Sequence, residues 1–196
     1  MEKRKTKNTY ILIRHGEAHH NIRNIISSTY ESSFKYPLTV HGITQIVDLV
    51  QTLPNIDLIV SSDYLRTNQT AEIVRSAYPD ALISFDPRLR ERFMGDFEGQ
   101  PYTKSVESMG GKPQQWSMSL FHAESYSHVA SRALRVLNDL ENQYYKKTIA
   151  LVSHKVPLTI VQRFLLGCDG KELSPAHELS IPPLVVGDFV IHGRGF

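Results

Sequence analysis

Cysteine is nearly absent from this chain. Cys168 is the only one in 196 residues, so no intrachain disulfide is available, which suits a reducing compartment and points to the cytoplasm. Its place after an apolar helical pattern reads as small core filler rather than as a nucleophile. Long hydrophobic runs are missing too: none approaches the roughly 20 residues that cross a bilayer. The basic start MEKRKTK is followed by only four apolar residues before Arg14, which is not the pattern of a secretory leader. Nor is charge skewed to one sign. A formal net charge of +2, from 22 Lys and Arg against 20 Asp and Glu, gives no basic field that would make nucleic acid or a membrane the main partner. Attraction for anions therefore has to be local. No internal repeat or low-complexity tract is present, and 41% hydrophobic with 21% charged residues is the ordinary balance of a globular chain.

What is present is an alternation of short apolar runs with helical patterns. Tyr10, Ile11, Leu12 and Ile13 form a run too short for a core helix, which reads as a strand buried on both faces. Ile56–Val60, Ala81–Phe85 and Thr148–Val152 repeat that pattern, and Leu184–Val186 with Phe189–Ile191 read as an antiparallel edge. Between them, a short helix is expected over Glu17–Asn24, followed by loop to Pro37. A helix capped by Thr39 should bury Ile43, Ile46, Val47, Val50 and Leu53 and close at Pro54. The next, started by oxygens of Ser61, Ser62 and Asp63, should turn Leu65, Thr70, Ile73, Val74 and Ala77 inward. A long helix from near Glu124 carries Val129, Ala133, Val136, Leu137, Leu140 and Tyr144. Pro157 can open the last helix and Gly167 can stop it. The expected fold is α/β and three-layer: a mostly parallel central sheet with helices on both faces. The whole chain, 1–196, reads as one domain with a small cap inserted at about 100–123.

Three of the apolar strands end in polar sets: Arg14 with His15, Ser61 through Arg66, and Ser153 with His154. In a doubly wound parallel sheet such ends share one edge, where ligands bind, so two arginines and two histidines can converge there. Convergent cations in a cleft mean an anion, most often a phosphate. His15, His19 and His20 have part of the spacing of a metal site. Arg14 would sit beside them, however, and no acidic or cysteine ligand is suitably spaced, so no metal or other cofactor is expected.

These residues also resemble the ordered motifs of the histidine phosphatase superfamily, the phosphoglycerate mutase-like proteins. Arg14, His15, Gly16, Glu17 and Asn21 resemble its opening motif; Ser61, Ser62, Leu65, Arg66, Gln69, Thr70 and Ala71 its second. The loop LRERFMGDFEG resembles the one that supplies an acid, through Leu89, Glu91, Gly95, Phe97, Glu98 and Gly99. Glu124 and Ser125, with Arg132 beyond them, resemble the start of the long helix, and Val152, Ser153 and His154 the motif of the second histidine.

The resemblance implies that His15, as a neutral imidazole, is the nucleophile that becomes phosphohistidine, with Arg14 and Arg66 opposing its protonation. It implies that Arg14, Arg66 and His154 hold the phosphoryl oxygens. Glu91 would protonate the leaving alkoxide and then accept a proton from water, and Asn21 and Ser27 match phosphate-contacting positions. The expected activity is metal-independent hydrolysis of small phosphorylated metabolites. The alternatives are mutase-type phosphoryl transfer, phosphohistidine-protein phosphatase activity and, ranked lower, a catalytically silent binding module.

Departures from the pattern bear on that choice. Met94 stands where true mutases carry tyrosine, and Ser117 and Met118 follow Trp116 in place of a basic pair. A mutase has to hold a bisphosphorylated intermediate and keep water from phosphohistidine, so these losses favour hydrolysis. Lys155 follows His154 where glycine is frequent; its ammonium can add an anion contact or face water, and facing water is the favoured expectation. Substrate choice is expected in the cap, among Tyr102, Lys104, Met109, Lys112, Trp116, Met118, Leu120 and Phe121, with Lys104 or Lys112 available to a second acidic group.

Overall fold

In the computed structural model, which describes residues 2–109, 113–175, 184–185 and 187–193, the run after the basic start is strand β1, Thr9–Arg14. Its four central side chains are fully buried and split between two faces, Tyr10 and Leu12 on one, Ile11 and Ile13 on the other. Only a central strand with both faces covered buries every residue this way. The other strands are β2 (Leu58–Ser61), β3 (Leu82–Phe85), β4 (Thr148–Ser153) and β5 (Phe189–His192). They lie in the order β3-β2-β4-β1-β5, with parallel pairing except for β5, which runs antiparallel along β1. The sheet is therefore mixed and mostly parallel, as the sequence pattern leads one to expect.

Helices cover both faces. On one, α6 (Tyr126–Gln143) packs Ala133, Val136, Leu137 and Leu140, and α7 (Lys155–Leu165) packs Leu158, Val161 and Leu165, against Tyr10, Leu12, Leu58, Val60, Ile149 and Leu151. On the other, α3 (Val40–Val50) and α4 (Leu65–Ala77) pack Ile46, Leu49, Val50, Ala71 and Val74 against Ile11, Ile13, Ile59, Ala150 and Val152. Shorter helices complete the order: α1 (His19–Ile22) and α2 (Tyr30–Ser33) after β1, and α5 (Tyr102–Met109) in the cap. No helix among the described residues is long and apolar enough to cross a membrane.

Several local expectations change. α1 is one turn, not eight residues, and the stretch read as loop contains α2, which Thr29 caps by accepting from Ser32 N. On α3, Thr39 caps as expected, accepting from Gly42 N at 2.9 Å, but the helix ends at Val50 and its buried stripe runs through Ile46, Leu49 and Val50. Ile43 and Val47 are 41% and 44% exposed, because one sheet face covers only a limited width of helix. Ala77 is exposed at the end of α4. The Ser61, Ser62 and Asp63 side chains do not start that helix; its N-cap is Tyr64, without a side-chain bond. β3 is a mostly exposed edge strand, and the loop after it holds two 3-10 turns, Pro87–Leu89 and Gly95–Phe97. Leu184 and Val185 are not in a strand, and Val186 lies outside the described residues.

Candidate active site

Register decides what meets at the sheet edge. Arg14 pairs with Ser153 and Ser61 with Val152, so β1, β4 and β2 end level, and His15, His154 and Ser62 leave the sheet side by side. The order of these strands places β4 between the two halves of the sheet, the crevice position at which open α/β sheets bind ligands.

Arg66, in the first turn of α4 and 1% exposed, ties this edge together. Its Nε–H donates to His15 Nε2 at 3.2 Å, and its Nη2 group donates to Ser27 O and to His154 Nδ1, both at 3.1 Å. His15 in turn donates from Nδ1 to Gly16 O at 2.8 Å, which leaves the lone pair on Nε2. His154, the N-cap residue of α7, donates from Nε2 to Ser62 Oγ at 2.9 Å. The two imidazoles meet edge to face, 5.3 Å between centroids. Ser62 is thus a partner of a histidine rather than a helix cap, and this is the reason its oxygen is unavailable to α4.

Burial holds His15 neutral: its pKa lies well below the usual 6.5, first through desolvation and then through the cations of Arg66 and Arg14 and the neighbouring His20. The direction agrees with the sequence reading, but the arginines are the smaller cause. His154 is depressed in the same way. So is His20, to about 3, and its ring stands 5.7 Å from His15. Burial also lowers the Arg66 guanidinium to about 10, which leaves it charged at neutral pH.

Most of these residues border a cavity of about 490 Å³. Arg14, His15, Arg66, Glu91, Asn21 and Ser27 all line it; His154 does not, and sits behind Arg66. Arg14 spends one nitrogen on Leu184 O at 2.9 Å, while its Nε, like Arg66 Nη1, is buried without a partner among the described residues. Such donors are costly to leave unmade unless a ligand takes them. Asn21 accepts from Ala18 N at 2.9 Å and donates from Nδ2 to His20 Nε2; Ser27 Oγ pairs with Ser32 Oγ.

Glu91 arrives on a loop fastened from outside. Arg132 on α6 donates to the carbonyls of Arg88, Arg90 and Glu91 and pairs with the Glu124 carboxylate at 2.8 Å. Glu91 Oε1 accepts from the N–H groups of Arg92 and Val156 at 2.8 and 3.3 Å, which turns the carboxyl toward the mouth of α7.

Lys155, for which the sequence left an anion contact or water open and favoured water, lines the cavity, with Nζ 5.9 Å from the centre of the Tyr102 ring. Sequence reasoning missed other lining residues. Thr159 and Arg163 line it as well. Lys155, Thr159 and Arg163 are spaced by four, so a polar stripe on an otherwise apolar helix was the available signal. Of the cap residues, Tyr102 and Met109 reach the cavity, whereas Lys104 is exposed and not among its lining; Lys112 lies outside the described residues.

Comparison with known proteins agrees with this arrangement. The family model for the histidine phosphatase superfamily (branch 1) matches residues 10–184. A Proteus mirabilis protein named "Probable phosphoglycerate mutase GpmB" is 31% identical over 168 residues, which is 80% of this chain and 70% of that protein. Among solved structures, the alpha-ribazole phosphatase from Shigella flexneri superposes with a TM-score of 0.74 at 24% identity, covering 93% of this chain and 89% of that one. The mycobacterial glucosyl-3-phosphoglycerate phosphatase does so with a TM-score of 0.77 at 21% identity, covering 93% and 90%. At those identities the two structures are alike in fold.

Proposed function

The chain belongs to branch 1 of the histidine phosphatase superfamily, and on that footing we propose that it hydrolyses small phosphomonoesters, without a metal, through phosphohistidine on His15. The observation that carries this reading is a neutral His15, its lone pair on Nε2, in a cavity shared with Arg14 and Arg66, each of which keeps a buried nitrogen without a partner. A phosphoryl group set there would take those donors.

In the first step Arg66 Nε–H turns from His15 to a phosphoryl oxygen, and the Nε2 lone pair so released forms the N–P bond as the ester P–O bond breaks, while Glu91 delivers its proton to the leaving oxygen. Arg14 and Arg66 stabilise the charge on the phosphoryl oxygens in the transition state, the task a metal performs elsewhere. His154 serves by fixing Arg66 from behind, and Asn21 and Ser27 border the same space. In the second step water forms the new O–P bond as N–P breaks, its proton passes to Glu91, and His15 returns to its neutral form.

Mutase-type transfer is the second reading, favoured by the name of the Proteus mirabilis relative. Against it stands Met94, which lines the cavity where true mutases carry tyrosine. The proposal includes a small phosphorylated substrate rather than nucleic acid or membrane, and a cytoplasmic site of action, which a single, buried cysteine, Cys168, suits.

The test is release of inorganic phosphate from an aryl phosphate in the presence of chelator, with acid-labile phosphate trapped on the protein during turnover. His15→Ala should abolish both. Undiminished turnover in that variant overturns the assignment, and group transfer with no free phosphate establishes the mutase reading instead.

A further inference from the structure

Two more guanidinium groups line the cavity that His15 borders. Arg92 is 2% exposed and Arg163 is 3% exposed. Neither guanidinium touches a carboxylate among the described residues. Arg92 donates from Nε to Glu124 O at 2.6 Å and from Nη1 to Gln115 Oε1 at 2.9 Å, and its guanidinium lies 4.1 Å from the centre of the Tyr126 ring. Its Nη2 is buried without a partner. Arg163 donates from Nη1 to the carbonyls of Glu172 and Ser174, and its Nε is likewise buried and has no partner among the described residues.

A buried cation without a counter-charge is unfavourable, and carbonyls and an amide do not neutralise it. Of the described charged residues lining the cavity, Arg14, Arg66, Lys155, Arg92 and Arg163 are cationic and only Glu91 is acidic. One transferring phosphoryl group accounts for Arg14 and Arg66. It leaves Arg92 and Arg163 unexplained. Arg163 lies two turns along α7 from Lys155, on the same stripe, and at 1.5 Å per residue that is about 12 Å of helix.

We propose that the cavity holds a second anion site, and that the substrate carries an acidic group, a carboxylate or a second phosphate, on its leaving portion, held by Arg92 and Arg163. This rests on the phosphomonoesterase reading for the role of the first site, though not for the existence of the second. The planar guanidinium suits either anion, because both present paired oxygens to parallel N–H donors. The sequence left this task open to Lys104 or Lys112 of the cap; the proposal gives it instead to Arg92, beside Glu91, and to Arg163 on α7.

The test uses a homologous series of ω-phosphooxy alkanoic acids, their carboxamides, and the matching terminal bisphosphates. Binding is measured by calorimetry on the full-length His15→Ala protein, which reports affinity without turnover. Within the series, acids of the length that reaches Arg163 should bind about 10- to 100-fold more tightly than their amides. The bisphosphates show whether phosphate is preferred over carboxylate. Adding Arg163→Gln, or Arg92→Gln, should collapse the acid-over-amide ratio, which cancels any general loss of folded protein. Equal binding of acid and amide at every length, or a ratio unmoved by both substitutions, overturns the site. A ratio that behaves as expected while the wild-type protein releases no phosphate from any ester supports the site and refutes the hydrolase reading.

Discussion

Arg66 directs its Nε–H at the Nε2 lone pair of His15 across 3.2 Å. The same planar group reaches His154 and the Ser27 carbonyl through Nη2, and keeps Nη1 without a protein partner. One guanidinium thus touches the proposed nucleophile, the second histidine and the space a phosphoryl group would fill.

Arg66→Lys is therefore expected to be far from conservative. An ammonium is a point charge and cannot hold three directions at fixed angles. Loss of one preorganised donor of this kind lowers kcat by about 100- to 1,000-fold. Steady-state kinetics on an aryl phosphate checks this, with circular dichroism to show that the variant is folded. Activity within a small factor of wild type would mean that charge alone, not the fork, is what the site uses.

The buried histidines also set an acid limit on stability. His15, His20 and His154 all have folded-state pKa values below 6.5, His20 at about 3, with burial the largest cause for each. Above pH 6.5 neither the folded nor the unfolded chain protonates these rings, and their stabilising contribution is fully present. As pH falls below 6.5 the unfolded chain binds protons that the folded chain does not, so stability drops. Each ring contributes a slope of about 1.4 kcal/mol per pH unit across that window. Urea unfolding between about pH 7 and about pH 5 should show the combined slope, and His20→Gln should remove one ring's share of it. A midpoint independent of pH would contradict neutral burial.

The parts legible in the sequence were those with a local cause. β1 could be read because four consecutive buried apolar residues end abruptly in Arg14 and His15, and the sheet edge then brought Arg66 and His154 to the same place. Tertiary partners hid the rest. Ser62 has the composition of a helix start, but its oxygen belongs to a histidine that is 92 residues away. Ile43 and Val47 satisfy helical periodicity, yet the buried stripe rotates toward Leu49. Arg92 and Arg163 read as ordinary cations, since nothing local says that a long charged side chain is almost fully buried.

The loop beneath His15 rests on a contact between two glycines. A Cβ on Gly16 would stand 2.4 Å from Gly42 O, and one on Gly42 would stand 2.0 Å from Glu17 O. Both obstacles are backbone and cannot rotate away. Gly42→Ala should destabilise the protein by about 1 to 3 kcal/mol through overpacking, and should lower activity as well, by lifting α3 from the segment that positions His15. Val40→Ala, two residues earlier at a side chain 82% exposed, should stay within about 0.5 kcal/mol of wild type. Equilibrium denaturation of the two variants separates the effects, and equal stabilities would show that the backbone contact gives way at little cost.

The two site histidines are held in opposite tautomers. His15 donates from Nδ1 to Gly16 O, whereas His154 accepts at Nδ1 from Arg66 and donates from Nε2 to Ser62 Oγ. Ser62 is fully buried, so Ser62→Ala leaves the His154 Nε2–H without a partner and without access to water. A buried donor left unsatisfied costs about 1 to 3 kcal/mol, and the ring recovers part of that by shifting its tautomer or turning. Either response weakens its hold on Arg66 Nη2. The expected result is a fall in kcat of roughly tenfold, from about 1.4 kcal/mol of lost positioning, with KM changed much less. Long-range proton–nitrogen NMR of the imidazoles gives the distinguishing readout: the His154 pattern should change in the variant while that of His15 keeps its Nδ1–H form. If kcat falls with both patterns unaltered, Ser62 acts on the site by some route other than the second histidine.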